Sequence, residues 1–479
     1  MRILQVASEA VPVCKTGGLA DVVTALSRAL VECGDDVGVL LPAYRGTIER
    51  TGATLRHELG DPLGLGHPAR VWTAPLADTG ATLCLLQCDP LFDRDGGLYG
   101  DPQGVDWPDN HLRFGLLARV AAQLALASPA LDRPVDLVHA HDWQAALAIG
   151  HLTWWGAGRP ATVFTVHNLH FAGRFPHSVL PAIGAPASAW SPSELEFFGE
   201  VSLLKAGLVH ADRVTTVSPT YADEIRTPAG GIGFDGLLRW RGEAVRGVLN
   251  GIDTSVWDPA RDEALTVRYD ASRLDDKHLA RAALQREVGL DPQTHAPIFG
   301  VVSRLTWQKG IDLLLEAWPA ALAVGAQLVV LGSGEAGLEL ALAELAAAHP
   351  GRVAFVRGYD EGQSHRIFAG VDCLCVPSRF EPCGLTQMYA MRYGTPPVVR
   401  KTGGLADTVT DDDTGFVFGP PTAAACADAL VRAAVAYADR PRFVAMQRRA
   451  MAERHDWAAS AQAYREIYRE AVASRGALR

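Results

Sequence analysis

Residues 1–41, MRILQVASEAVPVCKTGGLADVVTALSRALVECGDDVGVLL, contain one complete strand–loop–helix–strand pattern. The apolar run Ile3–Ala7 predicts a strand, and a glycine pair predicts the loop that follows it. Apolar residues then recur at helical spacing as far as Gly34, and Val37–Leu41 predicts a second strand. Two apolar strands joined by a helix predict a parallel sheet that is covered on both faces.

The same alternation continues through both halves of the chain. In the first half it predicts further strands and a helix at Val135–His139, Trp143–Trp155, Ala161–Val166 and Arg213–Val217. In the second half it predicts strands at Ile298–Val302, Gln327–Leu331, Val353–Val356, Cys373–Val376 and Pro397–Val399. Helices are predicted between them, for example over residues 335–348 and 384–393. The sequence therefore predicts an α/β protein with two parallel sheets.

The region 226–295 joins the two alternating series, and its position predicts the domain organisation. We place one boundary near residue 247 and expect three segments, namely residues 1–247, 248–456 and 457–479. The last segment is a predicted helix that we expect to pack on the first domain. Within the first domain, segments 70–76 and 82–88 predict an antiparallel insertion, and residues 89–111 predict a long loop.

Composition excludes several classes of function. The chain has 479 residues, of which 48% are hydrophobic and 20% are charged, as in ordinary globular domains. Its formal net charge of −10 argues against a general nucleic-acid binder. No apolar run reaches the roughly 18 residues of a membrane helix, and no signal peptide is evident. Because the eight cysteines also lack zinc spacing, we expect a reduced cytoplasmic enzyme without nucleic-acid or membrane partners.

One heptapeptide, Lys-Thr-Gly-Gly-Leu-Ala-Asp, occurs twice, at residues 15–21 and 401–407. Each copy follows an apolar strand and opens a helix, where free backbone N–H groups and the helix dipole attract anions. Adjacent glycines allow close approach of the backbone, and Lys15 or Lys401 adds a cation. We expect each copy to offer a helix N-terminus to a ligand. The alternative is a helix start that is simply used twice.

Two further loops follow strands of the second predicted sheet. Arg304 and Lys309 come after its first strand, at the edge where open α/β sheets bind ligands. Two cations there could neutralise a pyrophosphate leaving group, with helix capping as the simpler alternative. Glu381, after the fourth strand, is an isolated carboxylate that could accept hydrogen bonds from sugar hydroxyls. The backbone N–H groups of Cys383 and Gly384 stand beside it in sequence.

Polar residues also end two strands of the first predicted sheet. His139 and His141 share one strand face, but no third ligand follows at metal-site spacing. We therefore expect a structural role for His139, whereas Asp142 and His167 are better candidates for contacting a substrate. A retaining hydrolase needs two carboxylates about 5–5.5 Å apart, and no such pair is evident. Cations and helix N-termini favour a transferase that works by positioning and electrostatic stabilisation.

Taken in order, these stretches resemble bacterial glycogen synthases and plant starch synthases. The resemblance rests on both heptapeptide copies and on HAHDW (139–143), TVHN (165–168), VLNGID (248–253), SRL (303–305), QKG (308–310) and EPCGL (381–385). It extends from residue 1 to about residue 470. Tyr389 stands where many other retaining enzymes of the same fold have a second glutamate, which favours the glycogen and starch synthases over those relatives.

The resemblance implies a GT-B glycosyltransferase, in which two Rossmann-like domains face an interdomain cleft. It implies transfer of glucose from ADP-glucose to the non-reducing end of an α-1,4-glucan such as glycogen. The configuration at the anomeric carbon would be retained, and neither a metal nor another cofactor would be needed.

The resemblance also implies roles for individual residues. The implied catalytic residues are Glu381, Arg304, Lys309, His167 and Asp142. The implied substrate-binding residues are Lys15, Gly18, Asp21, Asn250, Tyr359, Cys383, Gly384, Leu385 and Thr386. Among these, Arg304 and Lys309 would hold the diphosphate, Glu381 the glucose, and Tyr359 the adenine.

Three alternatives remain open at this point. A related enzyme could use UDP-glucose or a small acceptor, and a glucan-binding scaffold could have lost its activity. A pyridoxal-phosphate glucan phosphorylase would share the architecture. The presence of Lys15, Arg304, Lys309 and Glu381 argues against the scaffold. The absence of a cofactor-lysine motif among the five lysines argues against the phosphorylase.

Overall fold

A computed structural model describes residues 1–126, 134–156, 158–293 and 295–476 and divides them into two compact units. Unit 1 contains Met1–Gly251 together with the C-terminal helix that begins at Trp457, and unit 2 contains Ile252–Asp456. The structure divides the two units after Gly251, whereas the sequence analysis places the boundary near residue 247.

The secondary structure of unit 1 alternates strands and helices. Its strands are β1 (Arg2–Val6), β2 (Asp36–Pro42), β3 (Thr54–Gly60), β4 (Ala69–Pro75), β5 (Thr82–Gln87), β6 (Leu137–His141), β7 (Ala161–Val166), β8 (Arg174–Phe175), β9 (Glu196–Phe197), β10 (Glu200–Ser202), β11 (Arg213–Thr216) and β12 (Val245–Gly247). Its first helices are α1 (Gly18–Glu32), α2 (Thr47–Thr51), α3 (Asp89–Phe92), α4 (Asn110–Leu126), α5 (Asp142–Trp154), α6 (Leu203–His210), α7 (Pro219–Glu224), α8 (Pro228–Gly231) and α9 (Asp235–Arg241).

The main sheet of unit 1 has the strand order β12-β11-β7-β6-β1-β2-β5-β4-β3. The strands from β12 to β5 are parallel, and β4 and β3 extend the sheet as antiparallel neighbours. The chain starts in the middle at β1, moves outward through β2 and β5, and then returns to the other side of β1 at β6. This change of direction is the topological switch point, the place where open α/β sheets bind ligands.

Unit 2 repeats this order in a second sheet. Its strands are β13 (Ile298–Val302), β14 (Gln327–Gly332), β15 (Val353–Arg357), β16 (Cys373–Val376), β17 (Pro397–Arg400) and β18 (Phe416–Phe418). Its helices are α10 (Lys277–Val288), α11 (Ile311–Ala323), α12 (Ala336–Ala348), α13 (Glu361–Gly370), α14 (Thr386–Arg392), α15 (Gly403–Thr408), α16 (Ala423–Ala438) and α17 (Arg440–Ala452). The parallel order β15-β14-β13-β16-β17-β18 has its switch point between β13 and β16. The predicted pair of parallel α/β sheets is confirmed.

The last helix, α18 (Trp457–Gly476), is part of unit 1. Its residues Trp457, Tyr464 and Tyr468 lie in the same hydrophobic cluster as side chains of α1, β1 and β2. The cluster therefore joins the two ends of the chain in one core, and the aromatic side chains contribute a large share of its buried apolar area.

Two predicted elements differ from the structure. β6 ends at His141 rather than His139, because both histidines are hydrogen-bonded inside the sheet and the strand can continue through them. The segment 89–111 is not one continuous loop. It contains α3, whose residues Leu91 and Phe92 are buried, as well as the start of α4.

A buried ion pair ties β7 to the segment before β11. The carboxylate of Asp212 accepts two hydrogen bonds from Arg159, at 2.8 and 2.9 Å, and a third from the backbone N–H of Thr162 at 2.8 Å. The side chains of Arg159 and Asp212 are only 7% and 11% exposed.

Replacing Asp212 by alanine would leave the Arg159 guanidinium buried without its carboxylate. We expect Asp212→Ala to lower the free energy of unfolding of unit 1 by about 3–5 kcal/mol. Native-state hydrogen exchange of the β7 amides measures this change. The control is Glu58→Ala, which breaks an exposed pair with Arg70 and should cost less than about 1 kcal/mol. Equal effects of the two substitutions would contradict the prediction.

Candidate active site

The predicted site residues occupy the loops that follow parallel strands. In unit 1, these loops follow β1, β6, β7 and β12, and in unit 2 they follow β13, β15 and β16. Because the carboxyl ends of parallel strands share one edge of a sheet, each set of loops lies along the ligand-binding edge of its own sheet, which contains the switch point.

In unit 1, the first heptapeptide copy is held by a residue that the sequence analysis does not single out. The carboxylate of Glu9, only 3% exposed, accepts hydrogen bonds from the backbone N–H groups of Thr16 at 2.5 Å and Gly17 at 3.2 Å. The Tyr99 hydroxyl donates a further bond to Glu9 at 2.9 Å. Burial raises the pKa of the Glu9 carboxyl. The buried Glu9 side chain therefore holds the backbone of the heptapeptide loop at Thr16 and Gly17.

The outer side of this loop is open. Lys15 and Gly18 are exposed, and Lys15 Nζ lies 2.9 Å from Asp21 Oδ1. A Cβ placed on Gly17 would meet nothing within 4 Å. The first copy therefore keeps a cation and an accessible helix start, as predicted from its sequence.

The second copy has a different role, which corrects the expectation that both copies face a ligand. Residues 402–405 are buried, and the N–H of Gly404 lies 3.2 Å from the carbonyl oxygens of Glu381 and Pro382. A Cβ on Gly403 would lie 2.0 Å from the Glu381 carbonyl oxygen. The glycines here allow α15 to support the Glu381 loop from below.

Asp142 and His167 lie together at the edge of unit 1. Asp142 is buried, with φ of 55°, and its Oδ1 accepts the His167 backbone N–H at 2.7 Å. Burial raises the pKa of the Asp142 carboxyl to about 7. Asn250, which is 5% exposed, has an amide Oδ1 that is buried without a hydrogen-bond partner among the described residues. A buried amide oxygen without a partner is costly unless a ligand satisfies it.

In unit 2, the loops after β13 and β16 are joined by a charge pair. Lys309 Nζ lies 2.7 Å from Glu381 Oε2, and the Ser378 hydroxyl donates to the same oxygen at 2.8 Å. Glu381 is 6% exposed, and the Lys309 side chain is 18% exposed. Arg304 is exposed and has no side-chain partner within the described part of the chain. The two predicted cations therefore differ, since one is engaged and the other is available.

Arg379 fastens the same two loops together. Its guanidinium makes a bidentate pair with Asp312, at 2.7 and 2.6 Å, and donates to the Trp307 carbonyl at 2.8 Å. At the closest point, a Cβ on Gly310 would lie 2.2 Å from the Pro377 carbonyl oxygen. Gly310 also has φ of 66°, so that no other residue fits this approach without strain.

The remaining predicted residues of unit 2 follow β15 and β16. Cys383 is buried, and Gly384 has φ of 71°. Their carbonyl oxygens accept hydrogen bonds from Gln387 Nε2, at 3.1 and 3.0 Å. The partly exposed Leu385 and Thr386 open α14, so their N–H groups belong to its first turn.

Two aromatic residues complete the inventory of unit 2. Tyr359 is 65% exposed, and its hydroxyl lies 3.3 Å from Glu361. Tyr389, the departure from related enzymes, stacks on Trp257 with ring centroids 3.8 Å apart. At position 389, where many related enzymes have a second glutamate, this protein therefore has an aromatic ring packed against Trp257.

Sequence reasoning missed Glu9, Ser378, Arg379 and Gln387. Ser378 and Arg379 stand directly before the predicted carboxylate, so their place in the same strand-end loop was a usable signal. Glu9 had a similar signal, because it follows β1 in the loop that contains the heptapeptide. In the described residues there is no group of three or more His, Cys, Asp or Glu side chains that could hold a metal ion.

The raised pKa of Asp142 predicts a pH dependence of stability. The native carboxyl keeps its proton up to about pH 7, whereas an unfolded aspartate loses it near pH 4. The native state therefore binds more protons in this interval, and its stability falls as the pH rises from about 4 to 7.

Asp142→Asn removes this titration and suits the positive φ. We expect the variant to gain up to about 4 kcal/mol relative to the parent between pH 4 and pH 7. Urea unfolding of both proteins across this range measures the difference. The exposed control Asp223→Asn should show no such trend. A pH-independent effect of Asp142→Asn would contradict the prediction.

Two family models match the chain. Residues 2–240 match the starch synthase catalytic domain, and residues 287–443 match glycosyl transferases group 1. The curated glycogen synthase of Halorhodospira halophila is 49% identical, covering 99% of this chain and 100% of the relative. The glycogen synthase of Acidiphilium cryptum is 48% identical, with coverages of 98% and 99%.

Solved structures give the same picture. The catalytic domain of starch synthase IV from Arabidopsis thaliana, bound to ADP and acarbose, is 32% identical. The match covers 98% of this chain and 99% of that chain, with a TM-score of 0.88. Sucrose-phosphate synthase from Thermosynechococcus elongatus shares the fold at 20% identity, with a TM-score of 0.63 and coverages of 98% and 99%. Across the described residues, no helix has the length and apolar character to cross a membrane.

Proposed function

This chain belongs to the glycogen synthase family of glycosyltransferases, and from that premise we propose that it elongates glycogen with glucose from ADP-glucose. The acceptor is the non-reducing end of an α-1,4-glucan. The observation that carries the proposal is the Lys309–Glu381 pair at the switch point of unit 2, with Arg304 available in the same loop. The ADP and acarbose bound to starch synthase IV support an adenine nucleotide donor and a glucan acceptor.

The predicted GT-B fold and the predicted enzyme class, a glycosyltransferase, are both confirmed. We assign most of the donor contacts to unit 2, and we assign the acceptor together with some of the donor contacts to unit 1. The alternatives with UDP-glucose or a small acceptor receive no support from the full-length relatives, which are glycogen synthases.

The reaction breaks the bond between the glucose C1 atom and the diphosphate oxygen, so negative charge develops on the leaving group. We assign Arg304 and Lys309 to that charge, with the N–H groups of Leu385 and Thr386 as further donors. Lys309 is already held near this position by Glu381, whose Oε2 is itself held by the Ser378 hydroxyl, so little reorganisation is needed during the reaction.

We assign recognition of the glucose to Glu381 together with the backbone at Cys383 and Gly384. A carboxylate accepts hydrogen bonds from sugar hydroxyls, and Glu381 keeps one oxygen, Oε1, beyond the one that Lys309 and Ser378 share. Tyr359 is the exposed aromatic surface that we assign to the adenine.

In unit 1 we assign Asp142, His167 and Asn250 to the sugar and Lys15, Gly18 and Asp21 to the phosphate side of the donor. The buried, unpartnered oxygen of Asn250 supports a role in ligand binding.

We propose that the acceptor hydroxyl attacks C1 on the face from which the diphosphate leaves, and that its proton passes to the departing phosphate oxygen. This route retains the configuration without a nucleophilic carboxylate.

We also propose that the reaction takes place in the cytoplasm. All eight cysteines are free thiols, which fits a reducing compartment.

The direct test incubates the purified chain with glycogen, a metal chelator and either ADP-glucose or UDP-glucose. We expect nucleoside diphosphate release together with chain growth, faster with ADP-glucose. Elongation with UDP-glucose alone would overturn the donor assignment. Consumption of a donor with only a small sugar acceptor would overturn the acceptor assignment.

Lys309→Ala tests the role of the cation in the leaving-group step. We expect kcat to fall by about 10²–10³-fold, because an electrostatic donor to the developing charge is lost. The KM for glucan should change by less than about threefold, since uniform binding is untouched. The matched control is Lys401→Ala, an exposed lysine of the second heptapeptide copy, which should keep kcat within about twofold. Equal losses in turnover and glucan binding for Lys309→Ala would contradict the assignment.

A further inference from the structure

His167 is the end of a buried chain of hydrogen bonds that starts on α1. Ser27 Oγ lies 2.9 Å from Gln5 Nε2, and Gln5 Oε1 lies 3.0 Å from His141 Nε2. The other nitrogen of His141, Nδ1, lies 3.0 Å from His167 Nε2. Ser27, Gln5 and His141 are each 0% exposed, so water does not compete for these bonds.

The direction of every bond in this chain follows from one carbonyl group. Ser27 Oγ also lies 2.7 Å from the backbone oxygen of Val23, which has no proton to donate. The single Ser27 proton must therefore point to Val23, and Ser27 accepts from the Gln5 amide nitrogen. The Gln5 amide then turns its oxygen towards His141, so His141 carries its proton on Nε2.

This direction continues to His167. Burial holds the pKa of His141 well below its usual range and lowers the pKa of His167 to about 3, so both rings are neutral. A neutral ring has one N–H and one lone pair. Because His141 donates from Nε2, its Nδ1 accepts, and the proton between the rings belongs to His167 Nε2. The second nitrogen of His167, Nδ1, then carries the lone pair.

We propose that Gln5, oriented by Ser27 and acting through His141, is a positioning residue that fixes His167 as the Nε2–H tautomer. His167 Nδ1 is thereby a hydrogen-bond acceptor for a hydroxyl of the bound sugar. The identity of the ligand rests on the function proposed above, whereas the tautomer follows from the hydrogen bonds alone.

The fixed tautomer has a consequence for specificity. A lone pair at Nδ1 accepts a bond from a hydroxyl group and repels a group that has no proton, such as a carboxylate. Leaving a polar group without a partner on binding is costly, so this lone pair favours a ligand that can donate a proton to it. The hydrogen-bonded series from Ser27 to His167 therefore favours a neutral sugar over an acidic one at His167 Nδ1.

The test is ¹⁵N NMR of the histidine side chains in the full-length protein, with the His167 signal assigned by its loss in His167→Asn. In the parent protein we expect a protonated Nε2 and an unprotonated Nδ1 for His167. Two substitutions then disturb the chain at a distance. Gln5→Met keeps the length of the side chain but removes the acceptor for His141, and Ser27→Ala removes the group that orients the Gln5 amide.

In both variants we expect the second tautomer of His167 to appear. The kcat with ADP-glucose should fall by about tenfold in Gln5→Met, by analogy with the loss when a hydrogen-bond partner that orients a metal-ligating histidine is removed. The KM for glucan should stay within about twofold. Ser27→Ala should have a smaller effect in the same direction. Without Ser27 the Gln5 amide can flip, but it still adopts its native orientation part of the time.

Tyr468→Phe is the matched control. It removes a hydroxyl 2.8 Å from Nδ1 of His139. His139 lies on β6 with His141, and both histidines are fully buried. A general loosening of this core would therefore affect it as much as the other variants. We expect the His167 signals and the kcat of Tyr468→Phe to match those of the parent.

The proposal is wrong if His167 carries its proton on Nδ1 in the parent protein. It is also wrong if Gln5→Met and Ser27→Ala leave both the ¹⁵N signals and kcat unchanged. The proposed function fails separately, if the parent protein extends no glucan with any nucleotide sugar, because the tautomer is read without turnover.

Discussion

A carboxylate that is buried must be paired, and this requirement at Glu381 organises the site of unit 2. Its partners, Lys309 and Ser378, come from two different strand-end loops. The loops must therefore approach closely, which they do at Gly310, and must stay together, which Arg379 ensures through Asp312. The assigned chemistry depends on this arrangement, because a cation that is fixed in advance stabilises a leaving group without reorganisation.

The two identical heptapeptides show how context decides the role of a motif. In the first copy, Glu9 takes up the backbone N–H groups from below, and Lys15 and Gly18 stay exposed. In the second copy, the backbone N–H of Gly404 donates to the carbonyl oxygens of Glu381 and Pro382, so this copy stabilises the Glu381 loop. The same glycines therefore serve ligand access in one sheet and close packing in the other.

The sequence predicted both sheets and the strand-end loops, because apolar periodicity and glycine pairs are local signals. It placed Lys309 and Glu381 in the correct loops but not side by side, since their contact joins residues far apart in the chain. Gln5 and Ser27 were out of reach for the same reason: their roles depend on neighbours on other strands and helices. The extent of β6 was misjudged because buried histidines look like a strand end until their hydrogen-bond partners are known.

The position of α18 has a consequence for the synthesis of the protein. The core of unit 1 needs Trp457, Tyr464 and Tyr468, yet the ribosome makes these residues only after about 200 residues of unit 2. At roughly 5–20 residues per second, the first 251 residues wait about 10–40 s for their last helix. During that interval the apolar surface that α18 later covers is open to water and to chaperones. Unit 2, in contrast, is contiguous and can finish folding first.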